Sequence, residues 1–197
     1  MKNLLSNKTI TLLIVLSLIY GCVSMKAVSP SIGKTAFNSV GLRPFKGNVI
    51  SFTNYYQRGA FIPAGTECTI KDISKNAITF IANGREYKLA EWLIDTSDAK
   101  IKSSFNKFFA KNREEIGLNK INPTFYNGVI SGFEAIGMTK EEILLCLGYP
   151  AYLGRKDPTN DDEREAILSL NEWYYLKSRF RKILLIFREG KLYKIVD

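Results

Sequence analysis

Three sets of side chains in this 197-residue chain could do chemistry: three cysteines, an acidic run and a basic run with an aromatic residue inside it. The cysteines are Cys22, Cys68 and Cys146. Three are too few for a disulfide scaffold. None lies in a Cys-x-x-Cys pair, so dithiol redox catalysis has no motif to work with. The acidic run is Asp157, Asp161, Asp162, Glu163 and Glu165. Paired carboxylates serve as general acid and base when burial shifts their pKa values. Here they sit among Pro, Asn and Arg with no large apolar neighbour, which predicts a solvated loop. The run also lacks the glycine and the ligand spacing of a calcium loop. The chain has no histidine. That removes the imidazole base, Ser-His-Asp and Cys-His nucleophiles, and any zinc site built on imidazole. The expectation is a non-enzyme with no catalytic residue, no metal and no cofactor.

The basic run is Lys177, Arg179, Arg181 and Lys182, with Phe180 among them. It falls where a hairpin connection is expected. Arginine beside an aromatic ring is the usual make-up of a protein-binding hot spot. The plainer reading of the same run is a basic strand edge that discourages edge-to-edge pairing. Just before it, Trp173, Tyr174 and Tyr175 must alternate between two faces of a strand. Trp173 and Tyr175 are read as core and Tyr174 as surface. The candidate interaction surface is therefore Tyr174, Lys177, Arg179, Phe180, Arg181 and Lys182.

The elements that must position these residues begin after the N-terminus. Lys2 and Lys8 are followed by an apolar run over 10–19. A spanning helix needs roughly 20 apolar residues, so this run fits the core of a secretion signal. It ends in Leu18-Ile19-Tyr20-Gly21-Cys22, which resembles the lipobox of bacterial lipoproteins. The resemblance implies cleavage between Gly21 and Cys22, a diacylglycerol thioether on the Cys22 sulfur and an acylated amine. Two or three acyl chains hold a protein on a bilayer at roughly 0.8 kcal/mol per buried methylene. Residue 23 is Val rather than Asp, which by the rule of such proteins favours the outer membrane, facing the periplasm. Loss of residues 1–21 takes away Lys2 and Lys8 and no acid, so the formal charge falls from +9 to +7. A secreted cationic chain meets anionic lipid, lipopolysaccharide or wall polymer rather than nucleic acid.

Residues 22–47 read as a tether rich in Ser, Gly, Lys and Pro, with Phe37, Val40, Leu42 and Phe45 in its second half able to dock. Residues 48–118 read as a small SH3-like β-module followed by an amphipathic helix over 96–116. Its strands are expected at 49–53, 66–72, 77–82 and 85–90. Asn83-Gly84 between two β-rich runs marks a tight hairpin. Residues 119–127 read as a linker. From 128 onward a helix is expected behind Thr139, with Glu142 completing a capping box and Gly148 ending it. A charged loop over 154–166 precedes strands at 172–176, 181–187 and 191–196, the last two joined by Glu189-Gly190. Cys68 and Cys146 each have a ready place in an apolar face, and a disulfide between them stays open at this stage.

The run GMTKEEILLCLGYP, then NEWYYL, then LLIFREGKLYKIV resembles the BamE-like (SmpA/OmlA) family of bacterial outer-membrane lipoproteins. The residues that carry the resemblance are Gly137, Met138, Thr139, Leu147, Gly148, Pro150, Trp173, Tyr175, Phe187 and Gly190. They lie in the segment 119–197 and leave the β-module unaccounted for. The resemblance implies two helices packed on a three-stranded antiparallel sheet, and a role in binding rather than catalysis. The best-known members are accessory subunits of the machine that inserts β-barrel proteins into the outer membrane. The fold class expected for the whole chain is α+β, with an SH3-like β-module and a BamE-like unit. The function expected is a lipid-anchored periplasmic scaffold in outer-membrane assembly or envelope integrity. A peptidoglycan- or polysaccharide-binding lipoprotein, or an inhibitor of an envelope enzyme, is the alternative.

Overall fold

A computed structural model describes residues 32–51, 60–74, 77–90, 105–153, 164–177 and 181–197. Residues 31–197 form one compact unit, and the expected boundary after 118 lies within it. The chain is α+β. Eleven strands are described: β1 (Thr35–Asn38), β2 (Pro44–Lys46), β3 (Val49–Ser51), β4 (Glu67–Ser74), β5 (Ala77–Ala82), β6 (Arg85–Ala90), β7 (Phe109–Ala110), β8 (Tyr152–Leu153), β9 (Glu172–Leu176), β10 (Lys182–Arg188) and β11 (Lys191–Val196). Three α-helices lie wholly within the described residues: α1 (Tyr126–Ser131), α2 (Lys140–Leu147) and α3 (Arg164–Ser169). Counting the two-residue strands, one sheet has seven strands in the order β2-β3-β6-β5-β4-β1-β7. The other has four in the order β11-β10-β9-β8.

The centre of the first sheet is the antiparallel run β4-β5-β6. Asn83 and Gly84 close the β5–β6 turn with φ of 51° and 72°, the left-handed values that a two-residue turn demands. On the inner face of β4 and β5, Cys68, Ile70, Ile78, Phe80 and Ala82 are all buried. β3 joins β6 in parallel, and β1 joins β4 antiparallel. The segment expected as a tether thus contributes strands from Thr35 onward. Of the four apolar side chains named as able to dock, Val40 and Leu42 are buried and Phe37 is half-buried.

The helix expected to run to 116 does not do so. Residues 105–108 are helical, but Phe109 and Ala110 leave the helix and pair with Asn38 and Phe37 of β1. A 3-10 turn follows at Arg113–Ile116. The helical period was real in that Phe105, Phe108, Phe109 and Ile116 are all buried. What the period could not register is that the edge of β1 offers unpaired backbone, which Phe109 satisfies. Phe109 also stacks against Phe105 and meets Phe80 edge-on, both at 5.2 Å between centroids. The expected linker over 119–127 is likewise structured, with a 3-10 turn at Leu118–Lys120 and the start of α1.

The second sheet is antiparallel throughout. β9 and β11 have the expected limits, and β10 lies one residue later at both ends. The charged loop was expected to reach 166, but α3 begins at Arg164. Ile167 gives that short helix one buried anchor, and the Ile167 carbonyl accepts from Trp173 Nε1 at 3.2 Å. A single hydrophobic core runs from Ala36 to Leu192. The Gly41 backbone lies so close to α2 that a Cβ there would stand 2.6 Å from the Cys146 carbonyl oxygen. The Tyr149 hydroxyl donates to the Lys107 carbonyl at 3.2 Å, and the Tyr149 ring meets Phe108 edge-on.

Candidate interaction surface

The surface is built on β9 and β10, which are held in place by α2. Thr139 caps α2: its hydroxyl accepts from the Glu142 amide at 3.2 Å, and Glu142 Oε2 accepts from the Thr139 amide at 2.8 Å. This is the expected capping box. Glu142 does more than expected, because its Oε1 also accepts from the Asn122 amide at 2.7 Å. One buried carboxylate therefore fixes both the start of α2 and the chain leading into α1.

The start of α2 is also stitched to the β10–β11 hairpin. The Gly137 amide donates to the Leu192 carbonyl, the Leu192 amide to the Met138 carbonyl, and the Lys140 amide to the Gly190 carbonyl. The far end of α2 stops at Gly148, with φ of 79°. Tyr175 donates its hydroxyl to the Gly148 carbonyl at 2.8 Å. Trp173 packs on Phe187 at 4.6 Å. Thus Gly137, Met138, Thr139, Gly148, Trp173, Tyr175, Phe187 and Gly190 join α2 to the sheet. They are fold-forming residues.

With Trp173 and Tyr175 fully buried, Tyr174 points to the opposite face and is half-buried. Both assignments match the sequence reading. Lys177 closes the hairpin: its amide donates to the Arg181 carbonyl at 2.8 Å. The Lys177 ammonium and the Arg181 guanidinium converge on the Asp197 carboxylate, the latter at 3.1 Å. These donors hold the Asp197 carboxyl below its usual pKa, chiefly through the hydrogen bond from Lys177. Lys182 is exposed at the first position of β10, opposite Leu176. Arg179 and Phe180 lie outside the described residues, as do Gly21 and Cys22. The structure thus brings Lys177 and Arg181 together through Asp197, a partner the sequence did not suggest.

It also adds residues. Across the sheet, Tyr174, Leu184 and Val196 stand in register, and the next row is Glu172, Ile186 and Lys194. Leu184 and Ile186 are half-buried on this outer face, while Val196 is 39% exposed. The signal was present in the unbroken apolar run Ile183–Phe187. A strand apolar at every position has two apolar faces. At the corner of the same sheet the Arg188 guanidinium lies 3.7 Å from the centroid of the exposed Tyr193 ring.

Elsewhere the chemistry is quiet. Cys68 and Cys146 are buried free thiols. Burial pushes the Cys68 thiol up to about 12, and the Cys146 thiol higher still. Both are held protonated and non-nucleophilic. Of the acidic run only Glu165 is described, exposed in the first turn of α3. Among the described residues no group of acidic, cysteine or histidine side chains could hold a metal ion. No helix among them is long and apolar enough to cross a membrane. The chain matches no family model, no curated protein and no solved structure.

Proposed function

We propose that this chain is a lipid-anchored binding protein of the bacterial envelope. In this reading Cys22 carries the lipid, and the chain faces the periplasm from the outer membrane. The folded unit works as an accessory scaffold in outer-membrane protein assembly or envelope integrity. The observation that carries the reading is the coherence of the C-terminal unit. The residues that resemble the BamE-like family are the ones that cap α2, end it and fasten it to an antiparallel sheet. A helix-on-sheet unit of that kind, behind a lipobox, fits a tethered binding module. The SH3-like reading of the N-terminal β-rich part belongs to the same proposal.

The mechanism is confinement. A lipid at Cys22 keeps the unit close to the bilayer, which raises its effective concentration for partners held at the same surface.

The test is photocrosslinking in intact cells from a photoreactive residue at position 174. The reading expects a discrete adduct with an envelope protein, absent when the photoreactive residue is moved to position 86 on β6. Equal labelling from both positions, or none from 174, contradicts it.

A further inference from the structure

The outer face of the β8–β11 sheet has an apolar middle and a charged rim. Tyr174, Leu184 and Val196 form one cross-strand row, with Ile186 beside them. Lys182, Arg188 and Lys194 are exposed around that row. This is the anatomy of a protein–protein site, apolar at the centre and polar at the margin. The charge is one-sided. In register on this face, Lys182, Arg188, Lys191 and Lys194 are basic and Glu172 is acidic, all five exposed. The carboxylate on this face is that of Glu172, in the row of Ile186 and Lys194; the Lys177–Asp197–Arg181 cluster has the opposite parity along the strands.

Charge decides among the occupants. A second copy of the chain would set these cations against their own kind. A bilayer takes apolar side chains that protrude past the charged ones. Here Tyr174, Leu184 and Ile186 are half-buried while the cations are exposed. The complement is a segment with a short apolar ridge flanked by carboxylates.

We infer that this sheet face docks an acidic segment of a protein partner, with aliphatic side chains on the Tyr174–Leu184–Val196 row. Its carboxylates sit against Lys182, Arg188 and Lys194. The inference rests on the binding role proposed above and names the chemistry of the partner.

The experiment measures fluorescence anisotropy of labelled peptides with the full-length chain in neutral detergent. The probes are a short peptide alternating valine and glutamate and its valine–lysine counterpart. The acidic peptide is expected to bind and the basic one not. Leu184→Ser should weaken binding by about tenfold, a hot-spot loss. The exposed pair Lys182→Glu and Lys194→Glu should transfer the preference to the basic peptide. These two positions are solvent-facing, so the charge reversal reads recognition even if Leu184→Ser perturbs folding. Binding indifferent to the charge reversal overturns the inference. So does full displacement of the peptide by added phosphatidylglycerol, which makes lipid the occupant, or a dimer that the peptide dissociates. A position-174 crosslink to a protein without acidic-peptide binding sinks only the partner chemistry. No crosslink at all sinks the binding role as well.

Discussion

The Tyr175 hydroxyl donates to the Gly148 carbonyl at 2.8 Å, with both residues fully buried. The bond ties the middle of β9 to the residue that ends α2. It resolves two problems at once, since a helix terminus leaves carbonyls without intrahelical partners and a buried phenol needs an acceptor. Tyr175→Phe leaves that carbonyl buried and unpaired. The expected loss is about 1–3 kcal/mol of unfolding free energy, measured by urea denaturation. An unchanged midpoint would mean that the contact contributes nothing.

The capping box makes a graded prediction. Thr139→Ala removes one cap acceptor and should cost about 1 kcal/mol. Glu142→Ala removes the acceptor for the Thr139 amide and also for the Asn122 amide, so it should cost more. In a double-mutant cycle the two changes should be sub-additive, because they share the cap. Equal and additive losses would show that the Asn122 contact is idle.

Gly41 tests whether residues 31–197 are one cooperative unit. A methyl at this position meets the Cys146 carbonyl at 2.6 Å and the Leu145 carbonyl at 2.9 Å. Backbone cannot give way as a side chain can. Gly41→Ala is expected to cost roughly 1–3 kcal/mol or more by overpacking and to lower the single thermal transition. Two separate transitions, with only one displaced, would show independent modules.

The thiols set an alkaline limit. Cys68 has its pKa raised from 9.0 to about 12 by burial, and burial raises Cys146 and Tyr175 in the same direction. Above pH 9 the unfolded chain releases thiol protons that the folded chain keeps. Stability contributed by the neutral Cys68 is therefore complete below about pH 9 and is lost as pH rises towards 12. Lys140 works the other way, since burial disfavours its ammonium. The difference between wild type and Cys68→Ala isolates the thiol: its unfolding free energy should fall faster with pH in the wild type above pH 9. Parallel slopes would contradict the burial of that thiol.

Local signals were legible wherever one short-range rule decided the outcome. Asn83-Gly84 set a turn because both residues tolerate positive φ. Thr139, Glu142 and Gly148 marked α2 because caps are read from a few adjacent residues. The Trp173, Tyr174, Tyr175 alternation assigned core and surface correctly. What failed was non-local. Phe109 left its helix because β1, some seventy residues earlier, needed an edge partner. Thr35–Asn38 looked like tether because its strand partner, β4, lies beyond a long intervening segment. At the candidate surface, the basic run was visible but its clamp on Asp197 was not, since that pairing depends on the register of β10 against β11. Leu184 and Ile186 were signalled by the apolar run Ile183–Phe187, but the place of Val196 beside them depends on the same register.

The most direct test of the central claim, a lipid-anchored binding protein, is the intact mass of the native chain purified from its own membranes. The account predicts a species beginning at Cys22, heavier than the polypeptide by a diacylglycerol and an acyl group, and converted by Cys22→Ala into an unprocessed form without palmitate. A mature chain with a bare Cys22, or one that retains residues 1–21, would contradict it.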